Sequence, residues 1–339
     1  MREKPVKPKV VVIVGPTASG KSELALRLAL RLSSEQAKKK YGIKGAEIVS
    51  ADSRQIYRGM DVGTAKPSKK ERGLIPHHLI DIKNPNREYT VQHFKADALK
   101  VIREIIKRGK LPILVGGTGL YIKAIVDNLK IPKVKPDFVL RRELENEFKE
   151  KGIEPLIQEL VKIDPDAACI VDSKNPRRVI RALEISLGEK KLFSGSRRLG
   201  KPLFQTLQIG VGGEGNGLRA RIERRSEEMF QGGLIQEVER LVKKYPSTSS
   251  GQAPSASFDK TQDKSLGASG LPRAFDAIGY RETIDYLGHK ITKEKLMELL
   301  TKNTWQYARR QMTWFKKDPR IYWVKNEKEA MKLAAEFLS

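Results

Sequence analysis

The stretch 10-VVVIVGPTASGKS-22 constrains the fold of this chain more than any other segment. Its apolar, β-branched start at 10–14 is typical of a strand that is buried on both faces of a parallel sheet. The next eight residues match the pattern G-x-x-x-x-G-K-S/T at every constrained position. Glycines let backbone N–H groups point at phosphate oxygens, and the helix that follows adds its N-terminal dipole. The segment predicts a strand, a phosphate-binding loop and a helix, but leaves open what carries the phosphate.

The residues predicted to hold phosphate belong to the loop itself. They are Gly15, Pro16, Thr17, Ala18, Ser19, Gly20, Lys21 and Ser22. In loops of this pattern the lysine reaches the terminal phosphates and the final hydroxyl binds Mg²⁺. Mg²⁺ is therefore the predicted cofactor and Ser22 its predicted protein ligand. Taken alone, such a loop most often binds ATP.

Strands and helices alternate in the first half of the chain. After the loop and its helix, an apolar strand spans Ala46–Ser50, a helix with one apolar face spans Val91–Lys107, and LPILV at 111–115 forms another strand. A β-like run at 206–211 returns the chain to the sheet. This order predicts an α/β fold with a parallel sheet like that of P-loop NTPases, flanked by helices, with ligands at the carboxyl ends of the strands.

The composition changes in the middle of the chain, where many residues are charged and the apolar residues recur at helical spacing. We therefore predict an inserted all-helical domain at 128–203, which would bind RNA. Residues 1–127 and 204–339 would form the catalytic core, ending in basic helices. Within the core, 247–270 is rich in Ser, Gly and Ala and is expected to be a flexible insert.

Two absences limit the class of protein. The single cysteine, Cys169, excludes a disulfide framework and a multi-Cys zinc site, and its apolar neighbours at helical spacing predict a packed thiol. No apolar segment approaches the length needed to span a membrane. A cytoplasmic protein without membrane contact is expected, and nothing in the sequence requires more than a monomer.

The chain carries a formal net charge of +25 over 339 residues. A surface this positive attracts polyanions, among which folded RNA is common. Three runs concentrate the arginines, namely 175-NPRRVIR-181, 218-LRARIERR-225 and 307-YARRQMTWFKK-317. Arginine forks suit phosphates and aromatic rings stack on unpaired bases, although each run alone is equally typical of a solvated helix face. Together they favour RNA as a partner.

Residues that could take part in catalysis or binding follow two of the predicted strands. Asp52 comes after the second strand, where it could hold a metal, act as a general base or cap the following turn. The glycines at 116–119 would admit a substrate close to the backbone or simply form a tight turn, and Thr118 adds a hydroxyl. His77 and His78 lack partners at metal-ligand spacing, so we expect a structural or substrate-contacting role.

Seven motifs, in this order, resemble the family of tRNA dimethylallyltransferases, also called tRNA isopentenyltransferases. They are GPTASGKS, SADSRQIYRGMDVGTAKP, PHHLID, VGGTGLY, NPRRVIRALE, DAIGYRE and YARRQMTWF. The resemblance covers the chain outside 247–270, and it is to the bacterial type because the zinc finger of eukaryotic relatives is missing. It implies transfer of a dimethylallyl group from dimethylallyl diphosphate to N6 of adenine 37, in the anticodon stem-loop of tRNAs that read codons beginning with U, with release of diphosphate.

The resemblance also implies roles for single residues. Asp52 would be the general base, Arg221 would assist the diphosphate, and Thr118 and Arg141 would line the substrate channel, with Asp52, Thr118 and Arg221 catalytic. The residues that match the family's tRNA-contacting stretches are Asp52, Ser53, Arg54, Gln55, Arg177, Arg178, Val179, Ile180, Arg181, Asp276, Ala277, Ile278, Gly279, Tyr280, Arg281, Arg309, Arg310, Gln311, Met312, Thr313, Trp314, Phe315 and Lys316.

Three other functions are compatible with parts of the sequence. An adenylate isopentenyltransferase, which prenylates free AMP, ADP or ATP, shares the loop and the base, but the basic C-terminal motifs favour tRNA. A small-molecule kinase should carry an arginine-rich lid and an acidic residue at the end of the strand LPILV, and the sequence shows neither. A non-enzymatic RNA-binding protein would not need the intact Lys21, Ser22 and Asp52.

Overall fold

The computed structural model describes residues 7–131, 137–188, 192–196, 199–212, 216–246 and 270–339. The predicted flexible insert at 247–270 lies outside these residues, apart from Gly270. The chain divides into two compact units. The first comprises Met1–Val126 and Leu203–Ser339, and the second comprises Asp127–Pro202.

A parallel sheet forms the centre of the first unit. Its strands are β1 (Lys9–Val14), β2 (Ala46–Ser50), β3 (His77–His78), β4 (Leu111–Gly116), β5 (Gln205–Val211) and β6 (Ile321–Val324). They lie in the order β3-β2-β4-β1-β5-β6, and each pair of neighbours runs parallel. β1 is therefore central, with Val14 beside Gly116 on one side and Gly210 on the other. The predicted parallel α/β fold is confirmed.

Helices flank the sheet. Before the second unit they are α1 (Lys21–Leu32), α2 (Glu35–Tyr41), α3 (Lys69–Leu74), α4 (Val91–Lys107) and α5 (Gly119–Val126). The second unit contains α6 (Phe138–Lys151), α7 (Glu154–Ile163), α8 (Pro165–Ile170), α9 (Pro176–Gly188) and α10 (Phe193–Ser196). The remainder of the first unit adds α11 (Asn216–Gln231), α12 (Leu234–Lys244), α13 (Tyr280–Leu287), α14 (Lys293–Phe315) and α15 (Glu327–Leu338). Among the described residues, no helix is both long and apolar enough to cross a membrane.

The alternation of side chains along β1 explains why helices cover both faces of the sheet. Val10, Val12 and Val14 join one apolar cluster that includes residues of α4 and α5. Val11 and Ile13 join a second cluster with residues of α1 and α15. All five are fully buried, as expected for a central parallel strand. The core therefore holds the end of β1, and the loop after it, in a fixed place.

Two strands were not predicted, β3 and β6. β6 lies in the C-terminal part of the chain, for which the sequence indicates only helices. It has four residues, and Tyr322 and Trp323 are exposed between the buried ends Ile321 and Val324. The run IYWV combines β-branched and aromatic residues, which favour a strand, but four residues are too few to distinguish a strand from a helix segment by period.

The described residues of the second unit form helices around their own apolar core, which includes Leu156, Leu160 and Leu183. The prediction of a packed thiol in this unit is wrong, because Cys169 is exposed. The short helix α8 buries only Ala167, so the cysteine two positions later lies on its outer side.

Candidate active site

Three neighbouring strands end at the same edge of the sheet and deliver the candidate site. β1 leads into the phosphate loop, β2 leads to Asp52, and β4 leads into the turn at 116–119. The Ala51 N–H donates to the carbonyl of Val115 at 2.7 Å, which holds the ends of β2 and β4 together. Because α1 begins at Lys21, its N-terminus completes the phosphate loop.

The backbone of the loop depends on glycine at two positions. Gly15 has φ +155°, and a Cβ there would lie 2.3 Å from the carbonyl oxygen of Val211. Gly20 caps the start of α1 with φ +90°, in the left-handed region that favours glycine. Arg221 of α11 supports the loop from outside, since its Nε donates to the carbonyl oxygen of Ala18 at 2.9 Å. The predicted site residue Arg221 is thus placed against the phosphate loop.

A pocket, called here the inner pocket, opens between the loop and the strand ends. Its lining includes Thr17, Lys21, Ser22, Ile48, Ser50, Asp52, Gln55, Thr64, His77, Ile80, Val115, Arg225, Tyr307 and Gln311. One part is cationic and polar, formed by the loop with Lys21 and Arg225. Another part is aliphatic, formed by Ile48, Ile80 and Val115. Such a lining suits a ligand with a phosphate at one end and a small apolar group at the other.

Two cationic side chains in the inner pocket lie close together. Burial, followed by the positive charge of Arg225, lowers the pKa of Lys21 to about 8, and the charge of Asp52 acts in the opposite direction. Burial also lowers the pKa of Arg225, and Asp52 is the largest influence against that shift. The Arg225 Nε and the Ser19 Oγ are buried without a hydrogen-bond partner among the described residues. The unpaired donor of Arg225 beside a second cation indicates a site for an anion in the inner pocket.

Asp52 has one of the roles that the sequence left open, that of a cap for the following turn. Its Oδ1 accepts hydrogen bonds from the backbone N–H groups of Arg54 at 2.8 Å and Gln55 at 3.4 Å. The carboxylate therefore caps the turn after β2, as Asp does in many turns. Both hydrogen bonds engage Oδ1, so the turn does not use Oδ2, and the residue also lines the inner pocket.

The turn after β4, which contains Thr118, is hydrogen-bonded to the turn after β2, which contains Asp52. The Thr118 Oγ1 accepts a hydrogen bond from the Ser53 N–H at 3.2 Å. Tyr307 of α14 lies over the same region, and burial and the charge of Asp52 raise the pKa of its hydroxyl to about 12. Thr118 thus acts on the Asp52 turn through the backbone.

A second depression, called here the outer cleft, continues from the inner pocket. The two share Thr17, Asp52, Thr64, Arg225 and Tyr307. The outer cleft adds a rim that includes Ser53, Arg54, Asp276, Ala277, Ile278, Arg281 and Arg310. Asp52 therefore stands where a phosphate-bearing ligand in the pocket would meet a ligand in the cleft.

The residues predicted to contact tRNA differ in exposure. At the C-terminal end of α14, Arg309, Arg310, Thr313, Trp314 and the following Lys316 are exposed. The buried ones are Gln55, Ala277, Gly279, Tyr280, Gln311 and Phe315 in the first unit, and Val179 and Ile180 in the core of the second. Half-buried are Asp52, Ser53, Arg54, Arg181, Ile278 and Met312. The buried side chains serve packing or internal hydrogen bonds here.

Arg141, predicted to line the substrate channel, lies in the second unit. There its guanidinium contacts the buried carboxylate of Glu184 at 2.5 Å, and Arg181 contacts the same carboxylate at 2.9 Å. Arg177 and Arg178 are exposed on α9. Roles of these arginines toward a substrate stay predictions.

The sequence places Arg225 on the helical face of Arg221 but predicts no role for it in the site, and it does not predict the support of the loop after β2. Arg225 belongs to a basic run, and only its burial distinguishes it from its neighbours. The carboxylate of Glu237 on α12 accepts hydrogen bonds from the backbone N–H groups at 61–63 and from the Tyr280 hydroxyl. This network holds Thr64 at the pocket. No local sequence pattern predicts the network.

The histidines make contacts within the protein. The ring of His77 hydrogen-bonds through Nδ1 to the carbonyl oxygen of Ile75 at 2.7 Å, and burial lowers its pKa. His78 Nε2 lies 2.7 Å from a carboxylate oxygen of the buried Glu47. Within the part of the chain that the structure describes, no three His, Cys, Asp or Glu side chains gather to hold a metal ion.

The parallel sheet and its phosphate loop define an α/β protein of the P-loop type. The sequence profile of the IPP transferase family matches residues 55–318. The chain belongs to the IPP transferase family, whose members are prenyltransferases.

Similar proteins carry matching names. The tRNA dimethylallyltransferase of Acetivibrio thermocellus is 44% identical over 236 residues, covering 69% of this chain and 72% of the relative. That of Pelotomaculum thermopropionicum is 43% identical over 240 residues, with coverages of 70% and 72%. The crystal structure of the tRNA isopentenylpyrophosphate transferase from Bacillus halodurans is similar with TM-score 0.66 and 36% identity, covering 98% of this chain and 97% of the other. A eukaryotic dimethylallyltransferase acting on tRNA gives TM-score 0.69 at 27% identity, with coverages of 94% and 73%.

The lowered pKa of Lys21 predicts opposite pH dependences for stability and anion binding. Between about pH 8 and the ordinary value of 10.5, the unfolded chain keeps the Lys21 proton and the folded chain does not, so stability without ligand rises with pH. Affinity for inorganic diphosphate, used as a probe of the anion site, should fall over the same interval, because Lys21 loses its charge. Calorimetric titration and urea unfolding at several pH values measure both.

The matched control for this pH experiment is Lys21→Met. The difference between the two proteins isolates Lys21 from the titration of diphosphate itself. If the variant kept the same pH slopes as the natural protein, Lys21 would not be the titrating group.

Proposed function

We propose that this protein transfers a dimethylallyl group from dimethylallyl diphosphate to N6 of adenine 37 in tRNAs that read codons beginning with U, releasing diphosphate. The observation that carries the proposal is the inner pocket, in which a phosphate loop, the Asp52 carboxylate and an aliphatic wall meet. The names of the bacterial relatives and of the eukaryotic structure acting on tRNA support the choice of tRNA.

The reaction forms one bond and breaks another. N6 of the adenine attacks C1 of the dimethylallyl group, the bond from C1 to the diphosphate oxygen breaks, and the N6 proton passes to the Asp52 carboxylate. Asp52 suits this role because it lines both the inner pocket and the outer cleft. Lys21, Arg225 and the N-terminus of α1 would stabilise the negative charge on the leaving diphosphate.

The residues of the loop also fit Mg²⁺. This ion keeps several waters and uses one or two protein oxygens together with phosphate oxygens, so it does not need a cluster of carboxylates. The Ser22 hydroxyl would hold it, and Asp52 lines the same pocket. When bound, the ion supplies further charge stabilisation to the leaving group.

The outer cleft is the proposed entrance for the adenine. Arg54, Arg281 and Arg310 on its rim suit RNA phosphates, and Tyr307 offers an aromatic face at its base. An adenine in an anticodon loop would have to leave its stack to reach Asp52. The exposed arginines of α9 in the second unit are proposed as further tRNA contacts.

One experiment compares this function with its alternatives. Purified protein is incubated with Mg²⁺, labelled dimethylallyl diphosphate and either a tRNA containing A36-A37-A38 or free AMP, and in parallel with γ-labelled ATP. We expect label in the tRNA alone. Prenylation of AMP without tRNA would indicate an adenylate isopentenyltransferase, and phosphate transfer from ATP would indicate a kinase.

The aliphatic part of the inner pocket predicts selectivity for a five-carbon group. Replacing Ile80, which lines that part, by Ala should admit geranyl diphosphate and raise its use relative to dimethylallyl diphosphate by about tenfold, since one pocket methylene is worth a factor of 10 or more. Competition between the two diphosphates measures the ratio.

Ile75→Ala is the matched control, because Ile75 is a buried isoleucine of the same segment that does not line the pocket. It should lower stability without changing the preference. Equal preferences in Ile80→Ala and the natural protein would argue against this placement of the prenyl group.

A further inference from the structure

Gln311 lies in a basic stretch of α14, yet its side chain points into the protein. Only 6% of the residue is exposed, whereas its neighbours Arg309 and Arg310 are exposed. Its Oε1 accepts a hydrogen bond from the Thr17 N–H at 2.8 Å, and its Nε2 donates to the carbonyl oxygen of Gly117 at 2.8 Å. We call this pair of hydrogen bonds the Gln311 bridge.

The bridge requires a neutral amide. One of its two partners donates and the other accepts, and among side chains of this length only glutamine offers both functions without charge. Gly117 is adapted to the bridge as well, because a Cβ at this position would lie 2.2 Å from the Gln311 Nε2. The contact is thus specified from both sides.

The two loops joined by the bridge flank the proposed reaction. Thr17 belongs to the phosphate loop and lines the inner pocket. Gly117 precedes Thr118, whose hydroxyl holds the backbone beside Asp52. The helix that supplies the amide also supplies Tyr307 and Arg310 to the outer cleft. A movement of α14 would therefore reach both the phosphate loop and the base.

We propose that Gln311 is a positioning residue that couples RNA in the outer cleft to the phosphate loop. RNA that orders α14 would, through the bridge, order the Thr17 backbone, so that RNA and diphosphate strengthen each other's binding. The coupling is reciprocal, as linkage requires. This inference rests on the proposed function, since it takes RNA as the ligand of the cleft.

The test measures coupling without chemistry. Inorganic diphosphate with Mg²⁺ is titrated calorimetrically into the full chain, with and without an RNA hairpin carrying A36-A37-A38 in its loop. In the natural protein the hairpin should tighten diphosphate binding by at least about fivefold, the lower range of measured couplings. Gln311→Leu should reduce this factor to less than about twofold, because leucine makes neither hydrogen bond.

Two further variants keep the test interpretable. Gln306→Leu changes an exposed glutamine of the same helix and should retain the coupling. Gly117→Ala breaks the bridge from the other loop with Gln311 in place, and should lose coupling like Gln311→Leu. Thermal unfolding of each variant identifies any that is not folded.

The outcomes separate this inference from the proposed function. A natural protein that prenylates tRNA but shows no coupling overturns the inference alone, as does equal coupling in Gln311→Leu. A natural protein that shows coupling but no transfer to tRNA overturns the proposed function alone. A Gln311→Leu protein that is folded and binds diphosphate without RNA as the natural protein does, but has lost coupling, supports the bridge.

Discussion

Replacing Asp52 by Asn is expected to leave the fold intact and to lower the turnover of dimethylallyl transfer by at least about two orders of magnitude, the usual contribution of a general base. The amide oxygen of asparagine can still accept the N–H groups of Arg54 and Gln55, so the turn keeps its cap. The amide cannot take the proton from N6. Single-turnover transfer of label to tRNA, together with urea unfolding, separates the two roles.

Asp52→Ala serves as the companion variant. It loses the base and the cap, so it should match Asp52→Asn in turnover and lose about 1 kcal/mol more of unfolding free energy, the net worth of a typical hydrogen bond. An Asn variant with near-normal turnover would show that Asp52 is only a structural cap.

Replacing Arg225 by Met should separate stability from activity. The Arg225 Nε is buried without a partner among the described residues, and its charge adjoins Lys21. Removing the charge should change the stability of the ligand-free protein little, because burial disfavours the cation while the charges of Asp52 and Glu228 favour it. Turnover should fall by about 10²–10³, as it does when one donor to a developing anion is lost. Thermal unfolding without ligand and steady-state kinetics measure both effects.

Arg224→Met is the matched control for Arg225. Arg224 is an exposed neighbour whose Nε lies 3.4 Å from Glu228, a surface pair expected to contribute little. It should change neither stability nor turnover appreciably. If Arg225→Met unfolded the protein while Arg224→Met did not, Arg225 would be a structural residue and its assignment to the diphosphate would fail.

Several elements show why part of the fold was readable from the sequence. β2 and α4 were predicted with the bounds that the structure has, and α4 combines a strong apolar period with a local start signal. Thr90, for example, caps α4 through the His93 N–H. β6 was missed because its run of four strand-favouring residues is too short to show a period, and its pairing with β5 is what makes it a strand.

The site was readable only in part for the same reason. From the sequence, Asp52 is a candidate general base, metal ligand or cap, but its distance from the loop depends on the order of β2, β4 and β1 in the sheet. Gln311 was predicted to contact RNA together with its neighbours. Nothing in a helical stretch of arginines and aromatics says that one amide points inward.

By itself, the sequence determined the phosphate loop, the parallel α/β class and the resemblance to a family, which the profile match confirmed. These features rest on contacts within a few residues or on the period of a single element, so the local sequence predicts them. Only the tertiary structure decided which cations face the pocket and which amide joins its loops. The hydrogen bond from Thr17 to Gln311 spans 294 residues and that from Gln311 to Gly117 spans 194, distances over which only the packed core brings residues together.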